Sequence, residues 1–343
     1  MKNSLYGKIA LPVLIGIVVA IFLFNKDFEI DNLKEIKINA TSFIGFGLAL
    51  FAIAMRESGM AFRFKILTDG KLNLKKSFRT TFLCEFTSAI TPSSVGGSAL
   101  SMVFMHREGI SLGKSTTLTF TILFLDMLFF TVASPLIVIC SPSGEIFRFA
   151  TQSLNHSIRA LFWVAYGGIV AITLILLMGI FLLPTGFRKL LDRIGKWKRM
   201  KKWKDKLEEL SHNMLTTSIE LKNKRIFWWV QAFGVTVLSW IGRFLVVNGL
   251  FLALVPEVSQ WTVFARQIVV WALLMFSPTP GGSGVSEWLF DKYYGDLIGG
   301  NGIVMVMAIL WRILTYYIYL FIGLFFLPWF FRKQKLENND IIS

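Results

Sequence analysis

The chain has 343 residues, of which 54% are hydrophobic and 17% charged, with a mean hydropathy of +0.60 and a formal net charge of +15. Soluble domains carry about a quarter charged residues, so this composition excludes an ordinary soluble protein and indicates a polytopic membrane protein. The two cysteines, Cys84 and Cys140, lie in or beside apolar segments, which argues against a disulfide scaffold and against a thiolate metal site.

Six apolar runs are long enough to cross a bilayer, which takes about 20 residues. The first could pass for a signal-peptide core, but it lacks a small-residue cleavage motif, so we interpret it as a retained helix. Two further apolar segments, near 80–104 and 262–290, are interrupted by proline and glycine. The six uninterrupted runs lie near residues 8–24, 40–56, 115–140, 159–183, 226–254 and 301–328.

The basic residues are distributed unevenly around these segments. Suppose that each interrupted segment enters and leaves on one side, and that the N-terminus is cytoplasmic. The cytoplasmic segments then hold 27 basic residues and the outer segments hold seven, which obeys the positive-inside rule. If either interrupted segment crossed the membrane once, every later loop would change sides and the excess of basic residues on the cytoplasmic side would be lost. The charge distribution therefore predicts two re-entrant hairpins with cytoplasmic termini, and it explains the positive charge without a nucleic-acid partner.

The most basic segment, residues 187–223, combines lysines with apolar residues at helical spacing. This pattern fits one or two amphipathic helices attracted to an anionic lipid surface on the cytoplasmic leaflet. The alternative is a solvated loop that only sets the topology, and the pattern does not decide between the two.

The two interrupted segments contain similar sequence motifs, "ITPSSVGGSAL" at 90–100 and "SPTPGGSGVSEW" at 277–288. Three predicted spans separate them, and an odd number of crossings places the second hairpin on the opposite face. We therefore predict an all-α fold of two inverted-topology repeats, 1–150 and 151–332, with a tail at 333–343. The aligned positions are Thr91 with Thr279, Pro92 with Pro280, Gly96 with Gly284 and Ser98 with Ser286.

Broken helices of this kind expose backbone N–H groups that bind anions, and glycine allows a ligand or backbone to approach closely. We predict that the tips at Thr91–Gly97 and Thr279–Gly284 approach each other near mid-bilayer and build a polar site. Kinked helix pairs that serve only packing are the alternative.

Several charged residues lie in apolar surroundings, where a charge costs about 2.5–3.5 kcal/mol and usually pairs or serves a pathway. Glu287 and Arg312 are predicted to form a buried pair beside the second motif. Arg243 is the best candidate to meet an anionic head group or to neutralise Asp126. Glu85 fits a position near the interface. For each residue, a pair that merely pins helices is the alternative.

The motifs that carry a resemblance to a known family are "TPSSVGG" with "MHREGISLGKS", and "PTPGGSGVSE" with "LWRILTYY". In these motifs the sequence resembles the membrane region of the lysylphosphatidylglycerol synthase/flippase family. The resemblance covers nearly the whole chain and implies a two-repeat fold that moves lipids from the inner to the outer leaflet. The best-studied members move aminoacylated phosphatidylglycerol. The positions that match the family's motifs are Thr91, Pro92, Gly96, Gly97, Gly109, Asp126, Thr279, Pro280, Gly281, Gly282, Gly284, Glu287 and Arg312.

Two positions depart from the family pattern. Ser98 stands where an acidic residue is usual, and Leu123 stands where an arginine is expected. The joint loss fits a pair of charges that normally neutralise each other, because a lone buried charge is expensive. The departures leave the lipid substrate open. The chain ends at Ser343 without the family's soluble lipid-making domain, so we expect no synthase activity.

Enzyme signals are weak. "GISLGKS" at 109–115 has three residues between its glycines where a phosphate-binding loop needs four, and the three histidines are dispersed. We therefore expect a lipid transporter of the bacterial inner membrane, without metal or cofactor, and leave open a lipid-modifying enzyme, a scaffold and homo-oligomerisation. The predicted substrate-binding residues are Thr91, Pro92, Gly96, Gly97, Ser98, Asp126, Arg243, Thr279, Pro280, Gly281, Gly282, Gly284, Glu287 and Arg312.

Overall fold

The computed structural model describes residues 38–91, 96–142, 144–148, 155–182, 204–275, 277, 279, 281–298, 301–323 and 326. Within these ranges the chain forms ten α-helices and no strands, which confirms the all-α prediction. The helices are α1 Ala40–Leu67, α2 Leu74–Ile90, α3 Gly96–Arg107, α4 Leu112–Cys140, α5 Asn155–Leu177, α6 Lys204–Lys222, α7 Ile226–Leu254, α8 Gln260–Leu274, α9 Val285–Tyr294 and α10 Asn301–Arg312.

Five of the helical segments in the described residues are long and apolar enough to span a membrane. They are α1, α4, α5 with the π-helical turns that follow it, α7, and the segment Ile303–Gly323 that contains most of α10. The prediction that the second span ends near residue 56 is wrong, because α1 continues to Leu67 and buries Arg56 and Arg63. Two of the basic residues assigned to the cytoplasm therefore lie inside the protein. The predicted first span, 8–24, lies outside the described residues.

Helices α2 and α3 fold back on each other. Asn73 caps the start of α2 by accepting the N–H of Lys76 at 3.0 Å, and α2 ends before Thr91, which precedes a proline and is therefore biased away from helix. Glu108, just beyond α3, lies 3.3 Å from Arg79 in α2. The ends of the two helices thus lie side by side.

Helices α8 and α9 fold back in the same way around the second motif. Arg266 in α8 binds Asp296, just beyond α9, through two N–H···O contacts, the longer of them 2.8 Å. Gln267 donates to the hydroxyl of Tyr294 at the end of α9. Each interrupted segment is therefore a helical hairpin whose open end is held by polar contacts.

Helices α1 and α7 pack antiparallel with their backbones in contact. A Cβ added at Gly249 would lie 2.6 Å from the Ala49 nitrogen, and one added at Gly242 would lie 2.7 Å from the Ala52 carbonyl. Small residues allow helix backbones to approach this closely in membranes. The α1–α7 pair therefore forms the central contact of the fold, and the two hairpins follow its two members along the chain.

The basic segment 187–223 is helical over Lys204–Lys222, and its first part lies outside the described residues. Two ion pairs hold the end of this region to the rest of the protein. Lys114 in α4 binds Glu220 at 2.7 Å, and Lys224 binds Asp69 at 2.6 Å. Attraction of the segment to an anionic lipid surface stays a prediction.

Candidate functional site

The two repeated motifs meet directly. The backbone N–H of Gly281 donates to the carbonyl of Thr91 at 3.2 Å. Gly281 has a positive φ of +54°, and an added Cβ would overlap the Tyr316 ring and lie 3.0 Å from the Ala89 carbonyl. Only glycine fits this backbone conformation and this space without strain. The predicted approach of the two motifs is observed at this contact.

The turn of the second motif is organised by Glu287 and Arg312. One carboxylate oxygen of Glu287 accepts the N–H of Gly284 at the start of α9, and the other lies 2.8 Å from the Nε of Arg312. Arg312 also donates to the Gly281 carbonyl at 3.1 Å and to the Ser283 hydroxyl at 3.2 Å. The predicted pair is present, and its contacts fix the turn.

Asp126 has a different partner from the one proposed. Arg63 donates to its carboxylate at 2.6 Å, and the indole N–H of Trp240 donates to the same oxygen at 2.9 Å. Arg243 is engaged elsewhere, so it does not neutralise Asp126. Leu123, where the resemblance predicts an arginine, lines a cavity together with Arg63 and Asp126; this cavity is described below.

Glu85 is clamped between two arginines from the central helices. Arg56 in α1 binds Oε2 of its carboxylate, and Arg243 in α7 binds Oε1 at 3.2 Å. The Arg243 guanidinium also lies over two indole rings, 5.0 Å from the centre of Trp240 and 4.6 Å from that of Trp271. Cation–π contacts of this kind stabilise a guanidinium that has left water. Glu85 is 7% exposed and therefore buried inside the protein, while its predicted position near the membrane interface stays a prediction.

A second carboxylate, Glu57, joins this network. Tyr319 donates its hydroxyl hydrogen to Oε1 of Glu57 at 2.7 Å and accepts an N–H from Arg56 at 2.8 Å. The same Glu57 oxygen lies 3.3 Å from Arg56. The network therefore connects α1, α2, α7 and the last span.

A cavity of about 120 Å³ opens among these residues, between the two hairpins and the α1–α7 pair. Its wall combines charged side chains, serine, threonine and tyrosine hydroxyls, and the indoles of Trp240, Trp271 and Trp311. Arg243 keeps 17% of its side chain exposed, compared with 1% for Arg56. The charged residues on the wall are Arg63, Glu85, Asp126, Arg243 and Arg312.

The buried charges around this cavity balance. Among the described residues, each arginine of the cluster has an acidic partner, and the formal charges sum to zero. Balanced pairing is expected at membrane depth because an unpaired charge there is costly. The members are Arg56, Arg63, Arg243 and Arg312 with Glu57, Glu85, Asp126 and Glu287.

The structure brings most of the predicted site residues together, though not all of them line the cavity. Gly97 packs against Cys84 and Ser88 inside the first hairpin, and Thr279 bonds the Ser277 hydroxyl at 3.0 Å. Gly96 begins α3, and Gly284 is the residue that precedes α9. Pro92, Pro280 and the side chain of Ser98 lie outside what the structure describes. The predicted residues on the cavity wall are Asp126, Arg243, Gly281, Gly282 and Arg312.

Three charged residues of the cluster were missed from the sequence: Arg56, Glu57 and Arg63. A signal existed, because Arg56 and Arg63 are two helical turns apart and therefore share a face. The charged residues in "MRESGMAFRFKIL" resemble the end of a membrane span, so they give no indication that α1 continues. Among the described residues no group of three His, Cys, Asp or Glu is placed to hold a metal ion.

Comparison with known proteins agrees with this architecture. Residues 9–323 match the family described as the lysylphosphatidylglycerol synthase TM region. A UPF0104 membrane protein of Archaeoglobus fulgidus is 22% identical over 296 residues, which cover 82% of this chain and 85% of that protein. No solved structure matches. The family name points to a role connected with membrane lipids, and the apolar helices agree with a multi-pass membrane protein. The chain belongs to the lysylphosphatidylglycerol synthase TM-region family.

Proposed function

We propose that this protein moves a phospholipid, or a lipid linked to a polyprenyl phosphate, between the leaflets of the cytoplasmic membrane. The observation that carries the proposal is the position of Arg243. Its guanidinium lies on the wall of a cavity between the two hairpins, it binds Glu85 through one nitrogen, and 17% of the side chain is exposed. A phosphate group entering the cavity would meet this arginine.

The geometry also supports a re-entrant arrangement of the hairpins. The 17 residues of α2 rise about 26 Å and the 15 residues of α8 rise about 23 Å, both short of the roughly 30 Å hydrocarbon core. Each helix is followed, after a short break that carries the repeated motif, by a returning helix. Such a hairpin ends within the bilayer, where irregular backbone is tolerated if it is buried or lines a cavity.

The two halves are related in a way that favours an inverted repeat. Arg56 lies eleven residues before the end of α1, and Arg243 lies eleven residues before the end of α7. Each helix is followed by a hairpin that carries the repeated motif. Helices α1 and α7 run antiparallel and cross beside these arginines, since an added Cβ at Gly242 would lie 2.8 Å from the Arg56 nitrogen. Equivalent arginines thus flank the crossing.

The wall of the cavity suits an amphiphile. The wall carries both charged side chains and indole rings, and the charged groups would replace the water around a polar head group. The indoles of Trp240 and Trp271 hold the Arg243 guanidinium in place without using all of its N–H groups. Transport of a lipid requires such a site at the point where the head group is furthest from water.

The proposal is tested by reconstitution in liposomes with fluorescent phosphatidylglycerol on one leaflet. We expect the wild type to change the leaflet distribution without changing lipid chemistry, and Arg243→Gln to lose most of this activity. Arg225→Gln, at an exposed arginine that precedes α7, is the matched control and should keep it. If both variants keep the transport activity, Arg243 is excluded from the site. A new lipid species would favour a lipid-modifying enzyme, and no redistribution of any lipid would favour a scaffold.

A further inference from the structure

Glu57 is a buried carboxylate with one oxygen unused. The residue is 5% exposed, and its Oε1 is engaged by Tyr319 and Arg56. Its Oε2 is buried and has no hydrogen-bond partner among the described residues. A buried, unpartnered carboxylate oxygen is costly in the ionised form. This oxygen is therefore the place in the network where an added proton meets the least competition.

Glu85, the other carboxylate of the network, offers no such place. Arg56 binds one of its oxygens and Arg243 binds the other. A proton on either oxygen would have to displace a guanidinium donor. The charged and titratable groups that act on Glu57 are Arg56 from its own helix, Glu85 from α2, Arg243 from α7 and the Tyr319 hydroxyl from the last span.

Charge balance links Glu57 to the cavity. With both carboxylates ionised, the formal charges of Arg56, Arg243, Glu57 and Glu85 sum to zero. A phosphate diester that binds Arg243 adds one negative charge that no other group of this network offsets. An uncompensated charge is unfavourable in a buried site, so the network gains from taking up one positive charge together with the phosphate.

We propose that Glu57 binds one proton when an anionic lipid head group occupies the cavity, so that lipid and proton bind together. The inference rests on the proposed function, because it requires a head group at Arg243. The step is simple: the Glu57 carboxylate takes one proton from solvent and becomes a neutral carboxylic acid, and the proton is released when the lipid leaves. Lipid movement would thereby be coupled to the proton gradient.

The coupling has a definite sign. When the protein takes up a proton together with a ligand, the ligand binds more tightly as the pH falls. For one proton, the affinity changes by at most about tenfold per pH unit. An anionic lipid should show this slope. Phosphatidylcholine should not, because its own ammonium offsets its phosphate and no further positive charge is needed.

The test measures lipid binding and proton uptake together. Purified full-length protein in weakly buffered detergent is titrated with short-chain phosphatidylglycerol across about pH 5 to pH 9. We expect the wild type to bind more tightly as the pH falls and to take up as much as one proton per lipid, reported by a pH-indicator dye. Glu57→Gln, a neutral side chain of the same shape, should bind with a pH-independent affinity close to that of the wild type at low pH, and without proton uptake.

Tyr319→Phe is the matched control. It removes the hydroxyl that favours the ionised carboxylate but keeps Glu57, so the slope should remain and move to higher pH. An unchanged slope in Glu57→Gln, the same slope for phosphatidylcholine, or pH-independent binding by the wild type would overturn the proton inference alone. A wild type that binds neither lipid would overturn the phospholipid form of the proposed function, and with it the inference of proton uptake with phosphatidylglycerol.

Discussion

Arg56 and Arg243 bind opposite oxygens of the same carboxylate, that of Glu85, although they belong to the two helices that cross at the centre of the fold. The arrangement is not symmetric in exposure. The Arg56 side chain is 1% exposed and also donates to the Tyr319 hydroxyl, whereas that of Arg243 is 17% exposed on the cavity wall. We therefore expect separate roles for the two arginines: Arg56 stabilises the fold, and Arg243 binds the head group under the proposed function.

Replacement of each arginine by lysine separates these roles. Arg56→Lys should lower the free energy of unfolding by about 1–3 kcal/mol, because a point charge cannot reproduce both buried hydrogen bonds. Arg243→Lys should lower stability by less than Arg56→Lys does, because lysine keeps a positive charge beside Glu85 and the indoles, and it should weaken lipid binding. Thermal unfolding in detergent and phosphatidylglycerol binding measure the two effects. Equal stability losses in the two variants would contradict the division.

The contact between the two motifs can be tested with a pair of glycines. Gly281 and Gly284 both have positive φ, so alanine at either position should cost about 1–2 kcal/mol in backbone strain. At Gly281 the new methyl group would also overlap the Tyr316 ring and press on the Ala89 carbonyl, whereas nothing lies within 4 Å at Gly284. We expect Gly281→Ala to lower the melting temperature clearly more than Gly284→Ala. Similar losses would show that the motifs do not meet at Gly281.

The Glu287–Arg312 pair gives a graded prediction. Glu287→Gln leaves Arg312 without its carboxylate and should cost about 3–5 kcal/mol. The double change Glu287→Gln with Arg312→Leu restores the charge balance but leaves the Gly281 carbonyl and the Ser283 hydroxyl without their donor. We therefore expect partial rescue of thermal stability. Full rescue together with normal lipid transport would show that neither residue is needed for function.

Close packing of α1 against α7 predicts a position-dependent effect of alanine within one helix. A methyl group at Gly249 would lie 2.6 Å from the Ala49 nitrogen, so Gly249→Ala should separate the helices and reduce the melting temperature. Gly234 in the same helix has open space, and Gly234→Ala should leave stability unchanged or raise it by about 0.5–1 kcal/mol. A destabilising Gly234→Ala would indicate a general requirement for glycine in α7.

The sequence predicted the parts of the fold that depend on local composition. Apolar runs identified the spans, and proline with adjacent glycines located the two breaks, because both signals act over a few residues. The charge partners could not be predicted in the same way. Glu85 and Arg243 are 158 positions apart, and Arg56 and Tyr319 are 263 apart, so these contacts depend on how distant helices pack.

Asp126 shows where a plausible pairing failed. Apolar surroundings make Arg243 a candidate either to meet an anionic head group or to neutralise Asp126, yet Arg63 neutralises Asp126. The error began with the end of α1, which was placed near residue 56 because several charged residues follow. Arg56, Glu57 and Arg63 are tolerated in buried positions because each has a partner on another helix. A local sequence pattern cannot distinguish a charged loop from a helical segment whose charges are paired and buried.

The contact of α1 with α7 limits how the molecule can change shape. Where backbone touches backbone at Gly45, Gly59, Gly242 and Gly249, there is no layer of side chains that could change rotamer and let one helix slide along the other. Among the described residues of the hairpin tips, the joining backbone contact is the hydrogen bond from Gly281 to Thr91. We therefore expect the central pair to stay rigid, so that under the proposed function the hairpins are the elements that move when a head group passes.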